Sequence, residues 1–408
     1  MRLPSAPSIE SKQSWVVAGA ALTILMLSFG APWIVVVALK PIASELDGAR
    51  SIPALASALA WFGQGIGGIL MGRLADQIGV RWTVICGAAM ICLGLLISMG
   101  GAPWQLYLGH GLFIGILGNG GINAPFYVYV SRWFDRRRGS ALALIASGTF
   151  FAGAIWPNIF EPAIAVLGWR QTMFWYGLFE LAVIVPLALA FLKSPPEQPP
   201  VVLPGATSAR QLVFGWPPRA VYVSLAAASF LCCITMSMPQ VHLVALCSDV
   251  GIKPSHGAAM LSVLLGAGFI SRQMWGLISD RIGGLHTLLF GSATQAVAMT
   301  GFLLTQDEVG LFIVSAAFGF GFAGLIPAYV LAIRQHFSAS EASWRIPTLL
   351  LLSGSGMGTG GWLAGALYDY FGYYAPAFAT GILANLLNLA LIVMLVIRMR
   401  VSARPKAN

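Results

Sequence analysis

Arg272 stands where a charge is costly, inside the apolar run AAMLSVLLGAGFISRQMWGLISDRIG. An intramembrane arginine costs about 2.5 to 3.5 kcal/mol on insertion scales. No acid lies one turn away to offset it, because those positions are Gly268 and Gly276. A planar fork of N–H donors suits a bidentate, charge-assisted pair with a carboxylate, so carboxylate binding is the chemistry this residue offers. Snorkelling to the nearer membrane surface is the alternative. Glu180, in YGLFELAVIV, is the acid nearest a predicted membrane centre. It is a candidate proton carrier, with packing or a lipid-facing protonated side chain as the plainer role. His242 in PQVHL and His110 titrate near neutrality, and hydrogen-bonded packing explains a lone helical histidine equally simply. Tyr127, Asn123 and Gln273 are candidates for polar walls around a ligand and Trp33 for an aromatic one; the polar groups also suit bonds between helices.

The elements that must position these residues are membrane helices. Of 408 residues, 58% are hydrophobic and 9% charged, against about a quarter charged in an ordinary soluble domain. A soluble enzyme is excluded, and neither HExxH nor GxSxG supports an enzyme embedded in the membrane. At about 20 apolar residues per crossing plus a connection, the chain divides into about twelve units. Apolar runs between Pro, Gly and charged breaks predict helices near 15–39, 52–73, 82–101, 106–130, 139–163 and 172–192. Six more follow near 220–246, 256–278, 285–305, 309–333, 346–368 and 375–397. The first run, about 25 residues without a small-residue cleavage site, is too long for a signal peptide and is read as the first helix. Prolines crowd residues 193–218, as in SPPEQPP and GWPP, and predict an extended linker. The expected organisation is a six-helix half over 1–192, a linker over 193–218 and a second half over 219–408.

The net charge of +9 reads as topology rather than nucleic-acid binding. With a cytoplasmic N-terminus, 18 of the 23 Lys and Arg residues fall in inner segments, and only Lys40, Arg50, Arg170 and Lys253 fall outside. Both termini are therefore expected on the cytoplasmic side of an inner membrane. The cysteines (Cys86, Cys92, Cys232, Cys233 and Cys247) sit in apolar stretches without metal-ligand spacing, so neither a metal nor another cofactor is expected.

The halves repeat. GRLADQIG, from Gly72 to Gly79, and GLISDRIG, from Gly276 to Gly283, are offset by 204 residues, as are Gly168 and Gly372. A duplicated six-helix unit places a central site between halves that rock to expose it to one side at a time. GRLADQIGVRW resembles the loop between the second and third helices of the major facilitator superfamily. Gly72 and Gly79 would permit a tight turn and close helix approach, and Asp76 would accept hydrogen bonds at a helix N-terminus. Contacts of Arg73, Asp76, Asp280 and Arg281 would then hold one rocking state closed; the plainer role for the arginines is positive-inside anchoring.

Within that superfamily, SRWFDRRRGSALALIASG, MPQVHLVALCSDVGI and AGALYDYFGYY resemble segments of the monocarboxylate porters and the oxalate:formate exchangers. The resemblance implies an all-α protein of twelve membrane helices that carries a small organic monocarboxylate, by proton symport or anion exchange with a counter-anion. The family lysine of the first helix would fall at Trp33 and the aspartate of the eighth at Gly268. Helix eleven has no lysine where the oxalate exchangers carry one, so a monoanion fits better than a dianion. An exporter of hydrophobic drugs is the same-fold alternative.

Overall fold

The computed structural model describes residues 10–195 and 212–402. Most of the expected linker, with Arg210, and the terminal residues Arg2, Arg404 and Lys406 lie outside the described residues. The chain is an all-α bundle of twelve membrane helices in two six-helix halves. The first half holds α1 (Lys12–Val37), α2 (Ser51–Ile78), α3 (Val80–Ser98), α4 (residues 103–131), α5 (residues 138–167) and α6 (residues 169–191). The second holds α7 (Pro218–Asp249), α8 (Pro254–Ile282), α9 (Gly284–Leu304), α10 (Glu308–His336), α11 (Ala339–Phe371) and α12 (Ala375–Ser402). Among the described residues no strand forms; one bridge, Val213 to Trp216, closes a tight turn before α7.

Each irregularity has a local cause. In α1 the helix breaks at Phe29, and Pro32 lacks the N–H that the Ser28 carbonyl would accept. Inside a membrane the freed carbonyls need donors. The indole Nε1 of Trp156 donates to Met26 O at 2.9 Å and the Tyr176 hydroxyl to Leu27 O at 2.5 Å. In α4, residues Leu108–Asn119 wind as a π-helix. Glycines bring its backbone against α2 and α3: a Cβ on Gly67 would strike the Ile116 backbone, and one on Gly94 would lie 2.7 Å from Gly109 O.

The duplication survives at atomic detail. Gly79 adopts φ 85°, ψ 154° and Gly283 φ 80°, ψ 164°, which only glycine adopts freely. Thr83 and Thr287 return their hydroxyls to those glycines' carbonyls at 3.0 and 2.9 Å, again 204 residues apart. The α5–α6 turn rests on Gly168 and the α11–α12 turn on Gly372, both at positive φ.

Several helices run longer than the apolar pattern implies, since polar residues past the hydrocarbon boundary continue the helix. Arg73 and Asp76 therefore belong to the last turns of α2, and Asp280 and Arg281 to those of α8. Asp76 sits near a helix C-terminus, not the expected N-terminus, and the connection after it is the single residue Gly79. Helix α11 begins seven residues before the expected 346 and takes in Arg345, which is buried and ion-paired to Glu341 at 2.8 Å. Arg272 is thus not alone as a basic residue inside a helix.

Candidate functional site

The two halves meet along two helix pairs. On one side Ser51, Ala54, Ala58 and Gly65 of α2 approach Gly365, Gly358 and Leu351 of α11. On the other, α5 packs on α8. Asn158 donates to Ser262 Oγ at 3.0 Å, Gly153 abuts Leu265, Phe150 lies against Gly268, and the Phe151 and Phe269 rings are 4.5 Å apart. Both seams start at the face carrying Arg50 and reach the middle of the bundle. Toward the face carrying Gly79 the same helix edges continue with Ile69 and Asp76 on α2 and Gln273, Gly276 and Asp280 on α8, all exposed. The bundle is closed at the Arg50 face and parted at the Gly79 face.

Arg272 sits where the α5–α8 seam ends, one turn beyond Gly268. Its guanidinium carbon lies 5.2 Å from the Phe150 ring centroid on α5, and Tyr127 on α4 is within electrostatic reach. A cation of the second half thus faces aromatic groups of the first across the cleft, and among the described residues no acid pairs with it. Asn123, one turn from Tyr127, is part-buried with Oδ1 lacking a hydrogen-bond partner. Gln273, beside Arg272, is exposed. Of these residues Tyr127 is placed within reach of Arg272; Asn123 shares the helix of Tyr127 and Gln273 follows Arg272 on α8.

The other candidates lie elsewhere. Trp33 is 8% exposed and wedged against Gly153 and α5, above the cleft rather than in it. Glu180 is fully buried inside the first half, next to Tyr176 and Cys92, with both carboxylate oxygens unpartnered. His242 is fully buried inside the second half, its Nδ1 3.0 Å from the Tyr374 hydroxyl and its Nε2 2.8 Å from Gly361 O. Gly72, Asp76 and Gly79 line a cavity of ≈ 560 Å³ with Arg81, Arg132 and Lys193, at the Gly79 end of the first half and away from Arg272. A Cβ on Gly72 would meet nothing within 4 Å, so its close helix approach is not made in this arrangement. Among the described residues no ion pair holds Arg73, Asp76, Asp280 or Arg281. Among the described residues no group of His, Cys, Asp and Glu is arranged to hold a metal ion.

Sequence reasoning missed the polar cluster at the Arg50 face. Three of the four expected outer basic residues are ion-paired there: Lys40 and Arg50 with Asp249, and Arg170 with Glu45 at 2.6 Å. Arg170 also grips the Met99 carbonyl at 3.0 Å, and its hydrogen bond holds the Glu45 carboxyl below its ordinary range. The signal was present in LYDYFGYY, which the sequence reading used only as a resemblance.

Twelve membrane helices in two duplicated six-helix halves are the class of protein that the fold defines. The model for the Major Facilitator Superfamily matches residues 21–240 and 223–408, and the chain belongs to that family. It is similar to the MFS-type transporter pynF of Aspergillus niger, 25% identical over 291 residues, 68% of this chain and 64% of that one. It is also similar to monocarboxylate transporter 13 of Bos taurus, 26% identical over 330 residues, 80% of this chain and 75% of that one. The chain thus spans just under two thirds of the length of pynF. Among solved structures, a POT family transporter in complex with 5-aminolevulinic acid superposes with a TM-score of 0.72 at 12% identity, over 95% of this chain and 96% of that one. A bacterial homolog of the human lysosomal transporter Spinster, in an inward-facing and occupied conformation, gives 0.66 at 16% identity over 96% and 97%.

Proposed function

We propose that this transporter carries a small organic monocarboxylate across the inner membrane, binding the carboxylate at Arg272. The observation that carries the reading is a part-buried guanidinium at the end of the inter-half seam with no carboxylate among the described residues to pair with it. A substrate carboxylate arriving through the cleft supplies that partner by a bidentate pair. Tyr127, Asn123 and Gln273 serve as polar walls and the Phe150 ring as the floor under the cation. A single cation at the end of the seam, among the described residues, favours a monoanion. Similarity to monocarboxylate transporter 13 supports the same cargo class.

The Gly79 face is the cytoplasmic one in this reading, with both termini there and residues 193–218 linking the halves, so that the arrangement described is open inward within the lipid bilayer. Asp76 and Asp280, with Gly72, Arg73, Gly79 and Arg281, close that face in the opposite state. Coupling is to protons or a counter-anion. Glu180 and His242 are the proton candidates, acting from within the halves because neither borders the cleft. Uptake of radiolabelled carboxylates into proteoliposomes, with and without a pH gradient or an internal anion, tests cargo and coupling together. Uptake of an uncharged amide analogue equal to that of its acid would overturn the carboxylate assignment. Labelling of single cysteines at Gly205 and at the C-terminal tail tests the orientation; reaction from the periplasm at either site would reverse it.

A further inference from the structure

The residue before α2 is inserted into the other half of the protein. Arg50 is 5% exposed. Its Nη1 and Nη2 donate to the two carboxylate oxygens of Asp249, at the end of α7, at 2.5 and 2.7 Å. Nη1 also donates to the Tyr374 hydroxyl at 2.8 Å, and the guanidinium carbon lies 3.7 Å from the Tyr368 ring centroid. The backbone N–H groups of Arg50 and Ser51 donate to Oδ1 and Oδ2 of Asp369 at 2.8 and 2.9 Å, so a carboxylate of the second half caps the N-terminus of α2 in the first. Lys40 adds a 3.0 Å contact to Asp249 and a 2.9 Å bond to Ser248.

The receptor for Arg50 is built from the segment LYDYFGYY. Gly372 takes φ 81°, which reverses the chain and sets the Tyr374 ring 4.6 Å from that of Tyr368. Donor accounting fixes the brace behind it. Because Arg50 donates to the Tyr374 oxygen, the tyrosine proton is free to go to Nδ1 of His242. Nε2–H of the neutral imidazole then donates to Gly361 O. Every group in this relay is satisfied, and the side-chain hydrogen bonds of Arg50 all cross between the halves.

We propose that Arg50 in this receptor is the latch that holds the Arg50 face shut, and that each transport cycle withdraws it. A carrier of this family must open that face to complete alternating access, and no such opening is possible while α2 is tied to α7, α11 and α12 through one side chain. The latch is reversible because its groups lie next to solvent: on withdrawal, water replaces the partners, so the cost is far below that of stranding a charge in a dry interior. The proposal rests on family membership and on these contacts, not on the cargo or on Arg272.

The test uses the full chain in lipid nanodiscs, with spin labels at Ser44→Cys and Lys253→Cys, one in each half at the Arg50 face, in a Cys86→Ser background. Arg50→Gln and Asp249→Asn should each raise the ratio of separated to closed label pairs by about tenfold or more. The double variant should shift no further than the larger single one, since both break the same bond. Tyr374→Phe, which deletes only a hydroxyl, should shift the ratio in the same direction by less. If Arg50→Gln does not fold, Asp249→Asn and Tyr374→Phe decide the matter. Unchanged distance distributions in the folded variants, or a double variant whose shift equals the product of the singles, would overturn the latch.

Discussion

The same substitution at two glycines five residues apart on α2 should have opposite effects. At Gly67 an added Cβ would lie 2.7 Å from both the carbonyl carbon and the Cα of Ile116 on α4, and closer still to its oxygen. Those are backbone atoms of a neighbouring helix and cannot rotate away. Relief requires moving α2 away from α4, which also opens the close approach at Gly120, whose own Cβ position is 2.6 Å from Gly67 Cα. Overpacking of this kind costs about 1 to 3 kcal/mol, and the helical preference of Ala over Gly returns at most about 1 kcal/mol. At Gly72 a Cβ meets nothing within 4 Å, so only the helical gain applies. Gly67→Ala and Gly72→Ala should therefore differ in unfolding free energy by about 2 kcal/mol, with Gly72→Ala at or above the parent. Reversible unfolding in mixed micelles, followed by tryptophan fluorescence, measures the difference. If the two variants are equally stable, or Gly67→Ala is the more stable, the close α2–α4 contact is not what holds the first half together. If Gly72 meets a neighbour only when the Gly79 face closes, Gly72→Ala slows transport while leaving stability intact.

Asp76→Asn should change the maximal transport rate much more than the apparent substrate affinity, because Asp76 lies at the exposed end of α2, away from Arg272; initial uptake rates over a range of substrate concentration check this, and a large affinity loss at unchanged maximal rate would refute it. The Glu45–Arg170 strap should weaken in acid: the folded carboxyl titrates below its ordinary value of 4.5, so its contribution is present above that value and disappears as pH falls through the lowered one. Thermal unfolding between pH 6 and 3 should show a loss in the parent that Glu45→Gln lacks, and identical pH dependence would show that the strap does not contribute.

Much of the fold was legible because the bilayer imposes it: helix number follows from length and hydropathy, and the repeat from Gly79 and Gly283, whose torsions only glycine takes easily. Helix ends were less legible. The hydropathy of Arg73, Asp76 and Asp280 marks the edge of the hydrocarbon, whereas the helix ends only at the next glycine. The break at Phe29 could be suspected from Pro32, but its compensation by Trp156 and Tyr176 depends on tertiary contact. The site was legible in part for the same reason. A lone guanidinium in an apolar run is conspicuous, so Arg272 could be singled out, together with Tyr127, which lies within its electrostatic reach. His242 and Glu180 were equally conspicuous, yet the rotation of their helices turns them into the halves, which no periodicity in so uniformly apolar a chain reveals. Arg50 was invisible for the opposite reason, since a basic residue in a polar loop looks solvated until Asp249, Asp369 and Tyr374 are brought to it from the other half.

The central claim is that Arg272 binds the substrate carboxylate. The most direct measurement is equilibrium binding and uptake of a radiolabelled monocarboxylate by purified, folded Arg272→Lys and Arg272→Ala proteins in proteoliposomes. Lysine keeps the charge without the planar fork and should weaken binding substantially. Alanine should cost on the order of 2 to 5 kcal/mol of binding and abolish carboxylate transport, while the protein remains in the membrane. A well-folded Arg272→Ala carrier that moves its native substrate at near parental affinity would contradict the account and leave Arg272 as a charge that simply reaches for the membrane surface.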